Sequence, residues 1–218
     1  MRIHKQLFLT VSFLFFVFFT ITDDSFAQSP SKPLIPVPVY RLLDSHGYHF
    51  YTADQAEKNN AVSNLGFKYE GILGYVFSDR VMGTIPLYRF NGALGTYDDK
   101  FTAQSSVYYL TTDPNDELVT GDGRIHTAND GTTMMQDKLK PEGILGYISS
   151  EEIDGTTPIF NLSQHKADDF EYDDQKIHPA VFDQLLTNDE DEKSEAQKIY
   201  GYSDEGILGY IWNTPETR

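Results

Sequence analysis

Apolar and polar residues alternate through "PVYRLLDSHGYHFYT" (Pro38–Thr52), with a polar break at Asp44-Ser45-His46-Gly47. A period of two on either side of such a break predicts two strands joined by a turn. The alternation stops in "TADQAEKNNAVSNLGF". Here Thr52 is followed three residues later by Gln55, the spacing of a capping box, and helix-favouring residues run on to Gly66. "FKYEGILGYVF" (Phe67–Phe77) then reads as a closing strand, with glycines where another backbone can approach.

The last pattern is not unique. "EGILGY" stands at Glu70–Tyr75, Glu142–Tyr147 and Glu205–Tyr210. Laying the stretch from Thr52 over the stretch from Thr187 needs no gap. It pairs Asp54 with Asp189, Lys58 with Lys193, Ala61 with Ala196 and Gly66 with Gly201, and Glu190 replaces Gln55. The middle copy opens "PLYRFN" (Pro86–Asn91), and its "YYLT" (Tyr108–Thr111) matches "HFYT" (His49–Thr52). Copies two and three carry extra polar, glycine-bearing segments, "TGDGRIHTANDGTT" and "QHKADDFEYDDQ", which read as surface loops.

A unit of this size cannot bury its apolar face alone, whereas three can share a core. The expected fold is mainly β (α+β): one domain over 37–213 made of three pseudo-symmetric strand-strand-helix-strand repeats, about 37–79, 85–150 and 157–213, closing as a trefoil-like domain. Ile72, Leu73 and Tyr75 are expected in the core, with Gly71 and Gly74 permitting close approach. The recurring Glu70, Glu142 and Glu205 read as structural hydrogen-bond acceptors rather than as an asymmetric catalytic pair.

Ahead of the domain, Arg2 and Lys5 precede the apolar "LFLTVSFLFFVFFTIT", and Ser25-Phe26-Ala27 precedes Gln28. This is the layout of a secretory signal over 1–27, its apolar run too short for an ordinary spanning helix, with an uncleaved anchor as the alternative. A proline-rich lead-in follows at 28–36. The expectation is a secreted protein, extracellular or periplasmic, without a membrane anchor after cleavage.

These residues resemble a family of secreted bacterial and fungal repeats with a "YRLY…G.HFYT…EGI.GY" pattern and no established function. The resemblance runs over about 37–213, strongest in the first copy. Members often adjoin polysaccharide-degrading domains, which implies a binding accessory. The family pattern includes the position of His49, which implies a structural histidine there.

Charge and missing motifs narrow the function. The formal net charge is −16, which disfavours nucleic acid and anionic membrane surfaces. There is no cysteine, hence no disulfide framework and no cysteine nucleophile. The nucleophile-elbow, zincin and phosphate-loop motifs are absent. "NDEDEKSE" (Asn188–Glu195) resembles a calcium cluster but lacks the loop glycine and ligand spacing. In register it falls on the start of a helix, where carboxylates favour the dipole. No catalytic residue, metal ligand or cofactor is expected.

Tyrosine rings with a polar edge suit stacking on sugars. Asp44, His46, Tyr48 and His49 bring carboxylate, imidazole and ring together at the first turn, the candidate ligand site. The competing reading is that they merely decorate that turn. The function expected is a non-catalytic extracellular binding module for cell-wall or surface carbohydrate. An extracellular protein–protein or adhesion module is the alternative, and a glycoside hydrolase comes third.

Overall fold

The first alternating stretch forms β1 (Pro36–Leu43) and β2 (His49–Thr52), paired antiparallel from Leu43 and His49 to Tyr40 and Thr52. These elements belong to a computed structural model that describes residues 36–215 apart from 98–100, 117–118, 120–123, 128–132, 137–138, 168–169, 173–174 and 178–179. The expected signal segment (1–27) and the lead-in up to residue 35 lie outside the described residues.

Helix α1 (Gln55–Asn64) follows, capped not by Thr52 but by Asp54, whose carboxylate accepts from Ala56 N (2.7 Å) and Glu57 N (3.4 Å). Thr52 ends β2 instead. Its hydroxyl accepts from Asp54 N (2.9 Å) and donates to Glu57. The second helix, α2 (Glu190–Tyr200), repeats the arrangement with Asp189 as cap, accepting from Asp191 N (2.8 Å) and Glu192 N (3.3 Å). It ends at Gly201, whose φ of 73° is the left-handed conformation glycine adopts without strain. "NDEDEKSE" is therefore the cap and opening turns of α2. Asp189→Ala leaves those amides unsatisfied and should lower stability by about 1 kcal/mol, read from the urea midpoint.

The remaining strands are β3 (Lys68–Phe77), β4 (Thr84–Tyr97), β5 (Phe101–Thr111), β6 (Arg124–Thr127), β7 (Thr133–Gln136) and β8 (Lys140–Ser149). They continue with β9 (Thr156–Ala167), β10 (Phe170–Tyr172), β11 (Gln175–Ile177), β12 (Ala180–Thr187) and β13 (Ser203–Trp212). Eleven of them form one antiparallel, nearly closed, barrel-like sheet, in which β1 pairs with β2 and β3, β4 with β5 and β8, and β9 with β12 and β13.

This overturns the trefoil-like assembly of three strand-strand-helix-strand repeats. The middle stretch carries the hairpin β6–β7, which joins the sheet edge through β4, where the repeat reading puts a helix. The third stretch is interrupted by the separate ladder β10–β11. The two polar insertions thus contribute strand pairs rather than plain surface loops, and their other residues lie largely outside the described ones. The physical reason for one sheet lies in the hexapeptide strands, which pair with each other. Trp212 of β13 faces Tyr75 of β3, Phe77 of β3 faces Tyr147 of β8, and Tyr210 of β13 faces Ser149 of β8. Backbone hydrogen bonding therefore crosses from copy to copy and merges them.

Each hexapeptide also contains a bulge. Val39 opposes Gly74 and Tyr40 opposes Ile72, so Leu73 has no partner across the ladder. Leu145 in β8 and Leu208 in β13 are skipped in the same way. A one-residue bulge reverses the inside–outside parity of a strand. Hence Leu73 and Val76 both point inward, while Ile72 is 46% exposed, with Ile144 and Ile207 likewise at the surface. The expectation of Ile72 as core is corrected on this ground, and Tyr75 is half-buried. The core joins Val39, Leu87 and Ile159 with Tyr51, Leu110 and Leu186, and with Val76, Ile148 and Ile211. Each fully buried aliphatic side chain there contributes about 1.5–3 kcal/mol.

Candidate functional site

At the end of β1, Asp44 turns the chain. Its Oδ1 accepts from His46 N (2.8 Å) and Tyr48 N (2.7 Å), which closes the turn. The turn and the strand that follows it send the four residues singled out above in different directions. His46 stays exposed, with Nδ1 3.4 Å from Asp44 Oδ2. Tyr48 is buried against Phe90, Val107, Tyr109, Val119 and Leu139, so its ring face is covered by core. His49 points the other way, into a cleft of about 470 Å³ between the β1–β2 hairpin and α2. The four do not converge on one place, and of them His49 alone lines that cleft.

Behind the cleft lies a buried polar cluster. Asp183, 2% exposed on β12, accepts from His49 N and His49 Nδ1, each at 2.8 Å, and from the hydroxyl of Tyr202. A carboxylate only accepts, so Nδ1 carries the proton and Nε2 faces Glu70 Oε2 at 3.6 Å. Burial by itself would lower the His49 pKa. The bonds to Asp183 and Glu70 outweigh it, and the pKa is raised. Burial, reinforced by Asp183, also raises the Tyr202 pKa, so its hydroxyl stays a donor.

Arg41 ties the cleft wall to the helix. Its guanidinium forks onto Glu192 of α2 at 2.8 and 2.7 Å, its Nε lies 3.2 Å from Glu70, and one Nη reaches Leu186 O at 3.3 Å. Bidentate pairing of this kind fixes both partners in direction as well as distance. Glu70 is held below its usual pKa first by the His49 hydrogen bond, with burial opposing and Arg41 assisting. For Glu192 burial acts upward, but the hydrogen bonds from Arg41 and Thr187 prevail and the pKa is lowered. Both carboxylates are therefore ionised at neutral pH.

The chain builds the same clamp a second time. Arg89 forks onto Glu57 of α1 at 2.8 and 2.9 Å, and its Nε lies 2.7 Å from Glu142. The recurring hexapeptide glutamates Glu70 and Glu142 are thus arginine anchors, while Glu205 accepts from Ser163 (2.5 Å). Around the second clamp, however, the corresponding positions are all aromatic. Tyr108 stands where the first has His49, Tyr48 where it has Asp183, Phe50 where it has Leu185, and Phe67 where it has Tyr202. Phe50 packs on Tyr108 at 4.5 Å and on Phe67 at 5.6 Å between ring centroids. Rings fill there the place that is an open polar cleft at the first clamp.

Sequence reasoning found His49 but missed Arg41, Asp183, Glu192 and Tyr202. The signal lay in the gap-free overlay of Thr52 on Thr187, which sets Asp183 on Tyr48 and Tyr202 on Phe67. A polar residue in place of a core aromatic marks a position under a different demand.

Residues 21–113 match a family described only as a domain of unknown function, DUF5648. The match covers under half of the chain. It takes in Arg41, His49 and Glu70 and stops before Asp183 and α2, so one wall of the cleft lies beyond it. It agrees with the resemblance to an uncharacterised family and names no catalytic activity. No curated protein and no solved structure matches this chain.

Proposed function

We propose that this chain is a non-catalytic binding module, exported by its N-terminal segment, that holds a cell-wall or surface saccharide in the cleft between the β1–β2 hairpin and α2. The observation that carries the reading is the replacement, at one of two equivalent clamps, of packed aromatic rings by His49, Asp183 and Tyr202 around open space. A purely structural junction gains nothing from that exchange, because buried polar groups stabilise less than packed rings.

The size and walls of the cleft support a saccharide. About 470 Å³ falls in the range of small-molecule sites. The exposed ring of Tyr200 offers a stacking face, and Glu70, Glu192 and Glu195 offer acceptors to sugar hydroxyls. Two of these carboxylates are immobilised by Arg41, so little side-chain entropy is lost on binding. The same geometry argues against glycoside hydrolysis here. A glycosidase keeps one carboxyl protonated near neutral pH, whereas Glu70 and Glu192 are both shifted downward.

The test is binding of the purified protein to a glycan array and to insoluble wall polysaccharides. Tyr200→Ala should weaken saturable binding about tenfold, the loss expected for one ring contact near 1.4 kcal/mol. His46→Ala, on the turn outside the cleft, should leave it unchanged. Absence of saccharide binding at high protein concentration would sink the proposal and turn the search to protein partners.

A further inference from the structure

Resting on the saccharide reading above, we infer that the ligand carries free, protonated amino groups: a polymer or oligomer of amino sugars whose nitrogens are not acylated. The inference comes from the polarity of the cleft's hydrogen bonding. Apart from the hydroxyl of exposed Tyr200 and the second Nε2 hydrogen of Gln164, the side-chain donors that line it are engaged elsewhere. His49 Nδ1 and the Tyr202 hydroxyl are committed to Asp183. Gln164 Nε2 donates to Tyr200 O. Arg41, on the far side of the carboxylates, donates to Glu192, Glu70 and Leu186 O.

What remains facing the open space are mostly carboxylates, beside the Tyr200 ring and hydroxyl. Glu70, Glu192 and Glu195 line the cleft, and all three also line a second groove of about 450 Å³ on the side of Arg41. A neutral sugar hydroxyl needs both donors and acceptors from its site, whereas an ammonium group has three donors and no acceptor. An acceptor-lined wall therefore matches the ammonium group better than the hydroxyl.

The charges point the same way. Arg41 faces both Glu70 and Glu192 and can offset one of them, and His49 offsets Asp183. Among the lysines nearby, Lys193 is held by Asp204 at 2.6 Å, and Lys68 is largely exposed, 3.5 Å from Glu70 on its outer side. Glu195, exposed on α2, adds a further negative charge at the rim. Hydrogen bonds to a charged donor are stronger than neutral ones, so the gain falls on the amine form of the ligand.

The discriminating experiment titrates the purified protein with three oligosaccharides of equal length and linkage: a glucosamine oligomer with free amines, its N-acetylated form, and the glucose analogue. A lysine-rich peptide serves as a fourth probe. At mildly acidic pH the free-amine oligomer should bind about tenfold tighter than the acetylated one. The difference should shrink with added salt, and Glu195→Gln should move the ratio towards one while His46→Ala keeps it. Equal or tighter binding of the acetylated or glucose oligomer overturns the amine assignment and leaves the saccharide reading standing. If no saccharide binds, the saccharide reading falls and the inference falls with it. Binding of the lysine peptide alone would do the same and identify a protein partner.

Discussion

Asp183→Ala should lower the stability of the protein by about 3–5 kcal/mol, the cost of removing one partner from a buried charged cluster. For a domain of this size that corresponds to a fall in Tm of roughly 6–20 °C. Asp183 is almost fully buried and satisfies two donors of His49 and the Tyr202 hydroxyl together. Without it, those groups keep the cost of burial and lose their acceptor. Thermal unfolding followed by circular dichroism measures the effect, and a change below about 1 kcal/mol would contradict the cluster's role. Asp183→Asn keeps the shape and one acceptor, and should cost less.

The pH dependence of stability provides a second readout of the same cluster. The raised pKa of His49 means that its contribution is fully present below the ordinary value of 6.5 and is lost as pH rises through the folded value. The lowered pKa values of Glu70 and Glu192 act on the other side. Their contribution is present above the ordinary 4.5 and is lost as pH falls through the folded values. Stability should therefore be greatest between the usual carboxylate range and the raised value of His49. The decline on the alkaline side should shrink in Asp183→Ala, because the histidine loses its main hydrogen-bond partner. An unchanged alkaline slope would show that the charge of His49 is not tied to Asp183.

Gly146→Ala should be the most damaging single methyl added to the sheet. A Cβ at that position would lie 2.3 Å from Val76 Cγ2, 2.8 Å from Val76 Cβ and 3.2 Å from Phe77 O. Valine has few rotamers with which to yield, and Val76 is fully buried on a strand that pairs with β8 through Phe77 and Tyr147. Neither backbone nor side chain can retreat cheaply, so the expected loss is about 1–3 kcal/mol or more. The double variant Gly146→Ala, Val76→Ala removes Cγ2, the nearest clashing atom, and leaves the Cβ approach, so partial relief separates a local clash from general misfolding. The two changes should compensate by at least about 1 kcal/mol in urea unfolding, whereas simple additivity would refute the contact. Gly74 against Ile211 and Gly209 against Ile148 are the corresponding approaches, so the three hexapeptides meet one another in a cycle.

Much of this was legible in the chain, and the residues show where legibility ended. The glycine of each hexapeptide could be read as a point of close approach, because a missing side chain has few other uses inside a strand. Gly74 takes that role and Gly71 does not, since its extra Cβ would meet nothing within 4 Å. The helices were legible from composition, but their start was read two residues early. Thr52 and Thr187 have capping chemistry, yet they finish strands, and Asp54 and Asp189 accept the free amides. Tyr48 and His49 show the limit most clearly. They are neighbours of similar polarity, and strand parity sends one into the core and the other into the cleft.

The sequence by itself determined the local chemistry: two strands about the Asp44 turn, a helix after Thr52, and glycines at Gly74, Gly146 and Gly209 that let strands meet. Such features depend on residues within a few positions of each other, where period and propensity act directly. Only the tertiary structure decided that the copies merge into one nearly closed sheet, that a bulge turns Ile72 outward, and that the hairpin–helix side of the first clamp is open where the second is filled by rings. The cleft joins Arg41, His49 and Glu70 to Asp183, Glu192 and Tyr202 across more than a hundred residues of chain. What brings them together is backbone pairing of β13 with β3 and the burial of charge against its partner, and neither is expressed in the pattern of any single stretch.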